Sequence, residues 1–572
     1  MTRPAIAIVG AGPAGTMLAL GLLQEGWPVT LVSGRSAEEI RTGPVMSSQI
    51  TFESALEVET TLGVTGLLPE SPPLRRMEYD VRRLDGSRTS FTVPLETPAR
   101  SIDLRVKVPA LLAEIERLGG KVVVGNAGVE ELEELARSHD LVVVSTGRGG
   151  ITDLFEDDPE RSPYSSPQRS IALTYLRGVE PAEGPAFRYH AVEGVGECFT
   201  CPALSVDGPC DIYVVEGVPG GPLDRWSDVH TDAEHLARLK EALAEHFPSE
   251  GDRVRGAELT DAGAVLRGSI TPGVRRPVGT LPSGATVLGM ADTVVLNDPL
   301  TSQGSNTAIK SASFYLEAIT AHDGPFDAAW MQRTFDNFWR GWAQWATAWT
   351  NSWLQPAQPH QQRVGAAAEE HPGVAARIVA GFDDPMLFVP WWFDPAEAER
   401  FLGEQLAEET ARFDVRDLRR AFGQYATGVT VVTTRDDAGR PWGMTANSFT
   451  SVSLNPPIVL WAAGKSSPSL PAFTAADRFA VNVLASDQHH LSRQFATSGA
   501  EKFEGVDLVG PESDVPVLEG IVAHFVCRKT QEVDAGDHVV FLGEIEAYDA
   551  PGGEPLVFHS GAYRLATRHP DV

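Results

Sequence analysis

Cysteine is scarce in this chain, with four in 572 residues. That is too few for the disulfide framework of a small secreted fold. Cys198 and Cys201 form a C-x-x-C, with Cys210 downstream and His190 upstream. No second pair completes a four-ligand zinc site, and no thioredoxin-like context surrounds them. They are expected to be buried small apolar residues, and no metal is expected. Long apolar runs are missing too: nothing approaches the roughly 18 residues that cross a bilayer. The first apolar stretch, Ala5–Val9, runs straight into a glycine loop and is expected to be a strand rather than a signal peptide. Basic residues are outnumbered, 47 Lys and Arg against 77 Asp and Glu, for a net charge of -30. So acidic a surface repels phosphate backbones and anionic lipid, which argues against nucleic-acid and membrane partners. A cytoplasmic protein is expected, in which an anionic cofactor is held by locally built sites.

The chain is too long for one core, and its texture changes along its length. Up to about residue 150, short apolar runs alternate with helical stretches: strand Ala5–Val9, helix Gly15–Gln24, strand Val29–Val32, helix Val108–Leu118, strand Lys121–Val124, helix Glu130–Ser138 and strand Leu141–Ser145. That order predicts a parallel sheet packed by helices, an α/β fold. From Ser170 to Val218 the pattern predicts an antiparallel sheet covering a substrate. Six tryptophans between Trp330 and Trp353 recur at helical spacing along one long helix. Such a stripe is expected to be core packing, with a wall of an aromatic-substrate pocket as the functional alternative. Gln355–His371, rich in Pro, Gln and Ala, is expected to be a break, and Pro395–Ala411 an acidic helix. Beyond it come many short β-rich runs, the pattern of a barrel. The domains expected are 1–410 and 411–572.

Gly10-Ala11-Gly12-Pro13-Ala14-Gly15 fits G-x-G-x-x-G between a strand and a helix. Gly10 permits a tight turn, Gly12 lets backbone approach a pyrophosphate, and Gly15 lets helix pack on strand; the helix N-terminus adds oriented N–H groups. The usual ribose-binding acid is replaced by Ser33, followed by Gly34 and Arg35. A serine offers a hydrogen bond without the charge, which predicts a loosely held, exchangeable dinucleotide. Further on, Gly289-Met290-Ala291-Asp292 precedes Asp298-Pro299-Leu300-Thr301-Ser302-Gln303-Gly304-Ser305-Asn306 and a helix. Taken alone, Asp292 is a turn-capping carboxylate.

Together with Asp103-Leu104-Arg105, these motifs resemble the p-hydroxybenzoate hydroxylase class. More particularly, with Asp140–Gly147 and Pro167-Gln168-Arg169 added, residues 1–405 resemble the oxygenase component of styrene and indole monooxygenases. The resemblance implies an FAD-binding Rossmann-like module with an antiparallel substrate sheet. Asp292 would lie at the ribityl chain, Pro299 and the Gly304-Ser305-Asn306 turn near the isoalloxazine, and Arg105 near the flavin. It further implies that the module has no nicotinamide site. Reduced FAD and O2 would transfer oxygen to a small aromatic alkene, with epoxidation as the result and sulfide oxidation as a second possibility. The loop Gly43-Pro44-Val45-Met46-Ser47-Ser48-Gln49 departs from that family, which generally carries an arginine and an asparagine near Val45 and Ser48. Ser47 and Ser48 are the candidate flavin contacts that remain, with Arg41 a possible substitute for the arginine.

The last 160 residues or so carry Gly443-Met444-Thr445-Ala446-Asn447-Ser448-Phe449-Thr450-Ser451, then Asn455-Pro456-Pro457, Lys465-Ser466-Ser467, Phe479–Leu484 around Asn482, Gly536-Asp537-His538, and Phe558–Arg564. This set resembles the short-chain flavin reductases. The resemblance implies a split β-barrel that binds FAD and NADH. Thr445, Ala446, Asn447, Ser448, Phe449, Ser451, Ser466, Ser467 and Asn482 would be at the flavin and His538 beside the nicotinamide, in a homodimer. On its residue type alone, His538 is an ordinary sheet or surface histidine. Joined, the two resemblances imply a self-contained flavin monooxygenase. The alternatives are a reductase that feeds a separate monooxygenase, and a non-catalytic FAD carrier or redox sensor.

Overall fold

A computed structural model describes residues 3–147, 150–409, 415–497, 502–510 and 514–566. It divides into two compact units, Met1–Leu402 and Gly403–Val572.

In the first unit β1 (Ile6–Val9) leads into helix α1 (Pro13–Gln24), and β2 (Val29–Ser33) follows. Then come β3 (Leu74–Arg82), β4 (Arg88–Ala99), β5 (Lys121–Val124) and β6 (Leu141–Val144). A six-stranded sheet runs Val278–Thr280, Thr286–Gly289, β6, β1, β2, β5. Its β1, β2, β5 and β6 pairings are parallel, and so is that of Thr286–Gly289 with β6. The four residues of β1 and of β6 are buried throughout, as strands covered on both faces should be.

The second sheet is built from β7 (Ser170–Arg177), β8 (Ala186–Val192), β9 (Gly196–Ser205) and β10 (Gly208–Gly217), extended by β3 and β4. The expected antiparallel pattern holds from β7 through β10 to β9 and β8, while β8 meets β3 in parallel. Strand alternation explains the C-x-x-C. Three residues apart on β9, Cys198 and Cys201 project to opposite faces and belong to different cores. All four cysteines are free and buried, and no metal-binding cluster occurs among the described residues.

Two expectations need correction. The tryptophan-rich helix is not a single regular helix: Ala328–Phe338 and Gln344–Trp353 flank a π-helical turn at Trp339–Ala343. The wider turn rotates the stripe, so that Trp330 and Trp342 enter the core of the six-stranded sheet while Trp349 enters the core under the second sheet. Gly341 sits where a Cβ would meet the Phe314 ring at 2.6 Å, so the close approach requires glycine there. Secondly, Gln355–His371 is no break: Pro359–Glu370 and Pro372–Asp383 are helices. Their prolines occupy first helical positions, where the missing N–H costs nothing.

The second unit is antiparallel β. Seven strands run in the order Pro441–Ala446, Thr430–Arg435, Arg478–Val483, Ala523–Ala535, His538–Asp549, Pro457–Gly464, Thr450–Leu454, and three shorter ones form a second sheet. No described helix of the chain is long and apolar enough to cross a membrane.

Candidate functional site

In the first unit the glycine loop is shaped by backbone crowding. Gly10 has φ +119° and lies against Ser145, whose hydroxyl donates to the Gly10 carbonyl at 3.0 Å. A Cβ on Gly15 would fall 1.9 Å from that same carbonyl oxygen, whereas one on Gly12 would meet nothing within 4 Å. The loop is therefore closed toward the sheet at Gly10 and Gly15 and open outward at Gly12. Pro13 and Ala14 begin α1, whose first turn has no side-chain cap. Its orphan N–H groups thus remain available for an anion.

Asp292 packs against Gly147, two residues beyond the Ser145 that touches Gly10; a Cβ added at Gly147 would touch the Asp292 side chain at 2.8 Å. Ser33 does not stand ready for a ribose. It is 2% exposed and its hydroxyl already donates to the Arg35 carbonyl at 2.6 Å. Arg35 in turn reaches the Met46 sulfur at 2.9 Å, linking the end of β2 to the 43–52 loop.

That loop is tied down from several sides. Val45 N–H donates to Gly263, and the Tyr175 hydroxyl to the Ser47 carbonyl at 3.1 Å. Ser305 and Asn306 both donate to the Ile50 carbonyl, at 2.7 and 3.0 Å, and Asn306 accepts from Phe52 N–H. The 298–306 turn and the 43–52 loop therefore form one wall. Ser302 adopts a left-handed backbone conformation there, at φ +55°. Asp298 caps the turn by accepting from Leu300 N–H at 3.1 Å. Two buried acceptors along this wall, Gln49 Oε1 and Gln303 Oε1, have no hydrogen-bond partner among the described residues. Unpaired buried acceptors, together with a loop open toward an anion, fit a group that carries both phosphates and an imide N–H donor, as FAD does.

Arg105 is corrected from a flavin contact to a support for that wall. It lies inside the helix Leu104–Arg117, which starts earlier than expected because Asp103 caps it. The guanidinium is 1% exposed and forks onto Asp261 at 2.8 and 2.9 Å, pairs with Asp103 at 2.8 Å, and donates to the Gly43 carbonyl. Its donors are spent. Burial raises the Asp261 carboxyl, but the hydrogen bonds from Arg105 and from Gly263 N–H outweigh it and hold the group below its usual range. Asp261 carried no sequence signal, since only the tertiary fold places it opposite Arg105. Nor does Arg41 replace the arginine of the resembled family: its side chain is 59% exposed and pairs with Glu38. Beneath the wall lies an aromatic cluster. Tyr79 stacks on Phe91 and Tyr189, while Trp349 and Trp353 pack edge-on to Phe382.

In the second unit, Thr445 and Ala446 end the strand Pro441–Ala446, and Asn447, Ser448 and Phe449 lead into the edge strand Thr450–Leu454, which holds Ser451. Thr445 donates to the Ser492 carbonyl at 2.5 Å, Ser448 accepts from Ala462 N–H at 2.9 Å, and Phe449 stacks on Phe525. The Gly464–Ser467 turn meets the Gly536–His538 turn: Lys465 N–H donates to the Asp537 carbonyl at 2.8 Å. A Cβ on Gly464 would be 3.9 Å from His538 Nε2 and 4.0 Å from Ser466 Oγ. Ser467 accepts from Ser469 N–H at 3.3 Å. His538 is half exposed and bonds Asp537 through Nδ1 at 2.8 Å, which leaves Nε2 toward the Gly464–Ser467 turn. Asn482 is corrected to a core residue. Fully buried, it donates to Val431 and Thr433 and accepts from Leu518 N–H.

A family profile described as "Styrene monooxygenase A putative substrate binding domain" matches residues 147–253, and one described as "Flavin reductase like domain" matches 422–567. The styrene monooxygenase StyA of Pseudomonas fluorescens is 31% identical over 323 residues, 55% of this chain and 77% of that protein. An FMN reductase (NADH) of Agrobacterium fabrum is 46% identical over 153 residues, 27% of this chain and 87% of that protein. The NADH-dependent FAD reductase of Streptomyces globisporus is also 46% identical over 153 residues, 26% of this chain and 83% of its own length.

Proposed function

The chain belongs to the styrene monooxygenase family in its N-terminal unit and to the flavin reductases in its C-terminal one, and from this we propose a division of labour. NADH reduces FAD in the C-terminal unit. The N-terminal unit uses reduced FAD and O2 to epoxidise styrene, indole or a similar aromatic alkene, with sulfides as a second substrate class. We take the first unit for a p-hydroxybenzoate hydroxylase-type fold, the second for a split barrel, and the protein for a cytoplasmic one. The observation that carries the reading is the wall joining the 43–52 loop to the 298–306 turn, taken with an open glycine loop and an aromatic cluster.

Bound reduced flavin supplies the oxygen chemistry. The chain's residues position and shield. Gly10, Gly12 and the start of α1 receive the pyrophosphate, Asp292 the ribityl chain, and Gln49 and Gln303 the ring's polar edge. Tyr79, Tyr189, Trp349 and Trp353 keep water from the alkene, which needs only to be held close. In the reductase unit, the 445–451 and 464–467 segments hold flavin and His538 orients the nicotinamide. Fusion raises the local concentration of reduced FAD and so limits its wasteful oxidation. We further propose a homodimer through this unit, whose Leu454, Tyr425, Tyr548 and Phe422 side chains are 94%, 78%, 71% and 68% exposed.

Incubation with NADH, catalytic FAD, oxygen and styrene or indole tests the coupled reading. Oxygenated product in proportion to NADH consumed is expected. NADH loss appearing only as peroxide favours the second reading, a reductase serving a separate monooxygenase. That reading is motivated by Val45 and by the outward-facing Arg41, which leave the flavin loop without its arginine. His538→Ala is expected to slow NADH oxidation at least about tenfold through misorientation, while externally reduced FAD restores product formation. A defect that persists with reduced FAD supplied would place His538 outside the reductase step.

A further inference from the structure

Behind the 298–306 turn lie three buried carboxyls and one cation. Arg169 is bidentate to Glu197, at 2.8 and 2.9 Å, and its Nη1 also donates to the Gln168 carbonyl. Glu216, at the end of β10, is fully buried, and Asp298 is 1% exposed. The two carboxyls are in hydrogen-bond contact with each other. Yet Glu216 Oε1 and Oε2 and Asp298 Oδ2 have no donor among the described residues. Two ionised carboxylates facing one another in apolar surroundings, with the nearby Arg169 already matched to Glu197, would carry a heavy uncompensated cost. A proton between them supplies the missing donor.

We propose that Glu216 is a positioning residue of the oxygenase unit, a neutral acid whose O–H donates to the Asp298 carboxylate and so fixes the turn carrying Gln303, Ser305 and Asn306. Asp298 spends Oδ1 on Leu300 N–H, and the Glu216 proton holds the rest of the carboxylate in place. Burial is the chief cause that lifts Glu216 well above the usual carboxylate range, helped by the charges of Asp298 and Glu197 and opposed by Arg169. Burial raises Asp298 as well, against the Glu216 hydrogen bond, the Leu300 N–H and Arg169. The buried phenols of Tyr189 and Tyr79 are further titratable groups facing this cluster, and burial raises both. The functional half of the proposal rests on the oxygenase reading of this unit; the proton itself does not.

The sign of the pH dependence follows from linkage. A carboxyl whose folded pKa is raised binds more protons folded than unfolded, so its share of stability is full below the unfolded value of about 4.3 and is lost as pH rises through the folded one. Glu216→Gln keeps a donor toward Asp298 and cannot titrate; Glu216→Ala removes it.

The full chain is compared in three forms. The infrared spectrum of the wild type minus Glu216→Gln is expected to show a protonated-carboxyl band at neutral pH. Melting of the N-terminal unit is expected to fall more steeply with rising pH in the wild type than in Glu216→Gln. The ratio of oxygenated product to NADH consumed is expected to drop as pH rises in the wild type, to stay flat in Glu216→Gln, and to be about tenfold lower in Glu216→Ala at every pH. Absence of the band overturns the proposal, as does a Glu216→Gln protein as uncoupled as Glu216→Ala. If no substrate is oxygenated, the oxygenase reading fails, and the band and the melting curves still decide the state of Glu216.

Discussion

Gly15→Ala is expected to abolish oxygenation, lowering the yield of oxygenated product at least about 100-fold while NADH continues to be consumed and peroxide to appear. The cause is a single methyl group with no room. It would overlap the Gly10 carbonyl oxygen at 1.9 Å and the Ser145 hydroxyl at 2.6 Å. Helix α1 must therefore move away from β1, carrying with it the N–H groups proposed to receive the pyrophosphate. Overpacking of this kind costs about 1–3 kcal/mol, which a unit of this size tolerates, so a folded but uncoupled protein results. Gly12→Ala is the control, since its Cβ enters open space. If that space belongs to the FAD pyrophosphate, the variant weakens FAD binding without lowering the melting temperature. Simultaneous measurement of NADH, peroxide and product separates the outcomes, and Gly15→Ala retaining wild-type coupling would remove the glycine loop from the oxygenase site.

Arg105→Ala is expected to be the most destabilising single change in the N-terminal unit. It strips Asp103, 1% exposed, of its ion pair and releases Asp261 and the Gly43 carbonyl together. Breaking a buried pair in this way costs about 3–5 kcal/mol. Arg105→Lys is a poor rescue because an ammonium cannot span two carboxylates and a carbonyl with a fixed fork. Chemical denaturation followed by tryptophan fluorescence reads the loss, and a destabilisation below about 1 kcal/mol would mean that water replaces the guanidinium.

Much of this was legible in the sequence because it is local. Glycine spacing between a strand and a helix, alternation along β7–β10, and the strings around Thr445 and His538 need no knowledge of distant residues. Arg105 shows where such legibility stops. Its place in a motif suggested a flavin contact, whereas its role is decided by Asp261, 156 residues away. Asn482 failed in the same manner: its string matches, but its amide is consumed by Val431, Thr433 and Leu518. Glu216 had a faint signal, a lone acid at the end of the apolar run Ile212-Tyr213-Val214-Val215, and nothing in that run names Asp298 as its partner. The helix of Trp330–Trp353 was legible in period but not in its π turn, since one extra residue in a turn leaves the spacing of large apolar residues almost unchanged.

The two-faced placement of Cys198 and Cys201 on β9 has a consequence for how the protein opens. One face of that strand packs in the core of the aromatic cluster, the other in the core beneath the helix Asp232–His246. The π turn links the aromatic core in turn to that of the six-stranded sheet. No layer of the N-terminal unit can peel away without uncovering a neighbour, so the amides of β9 exchange with solvent only through openings that approach global unfolding.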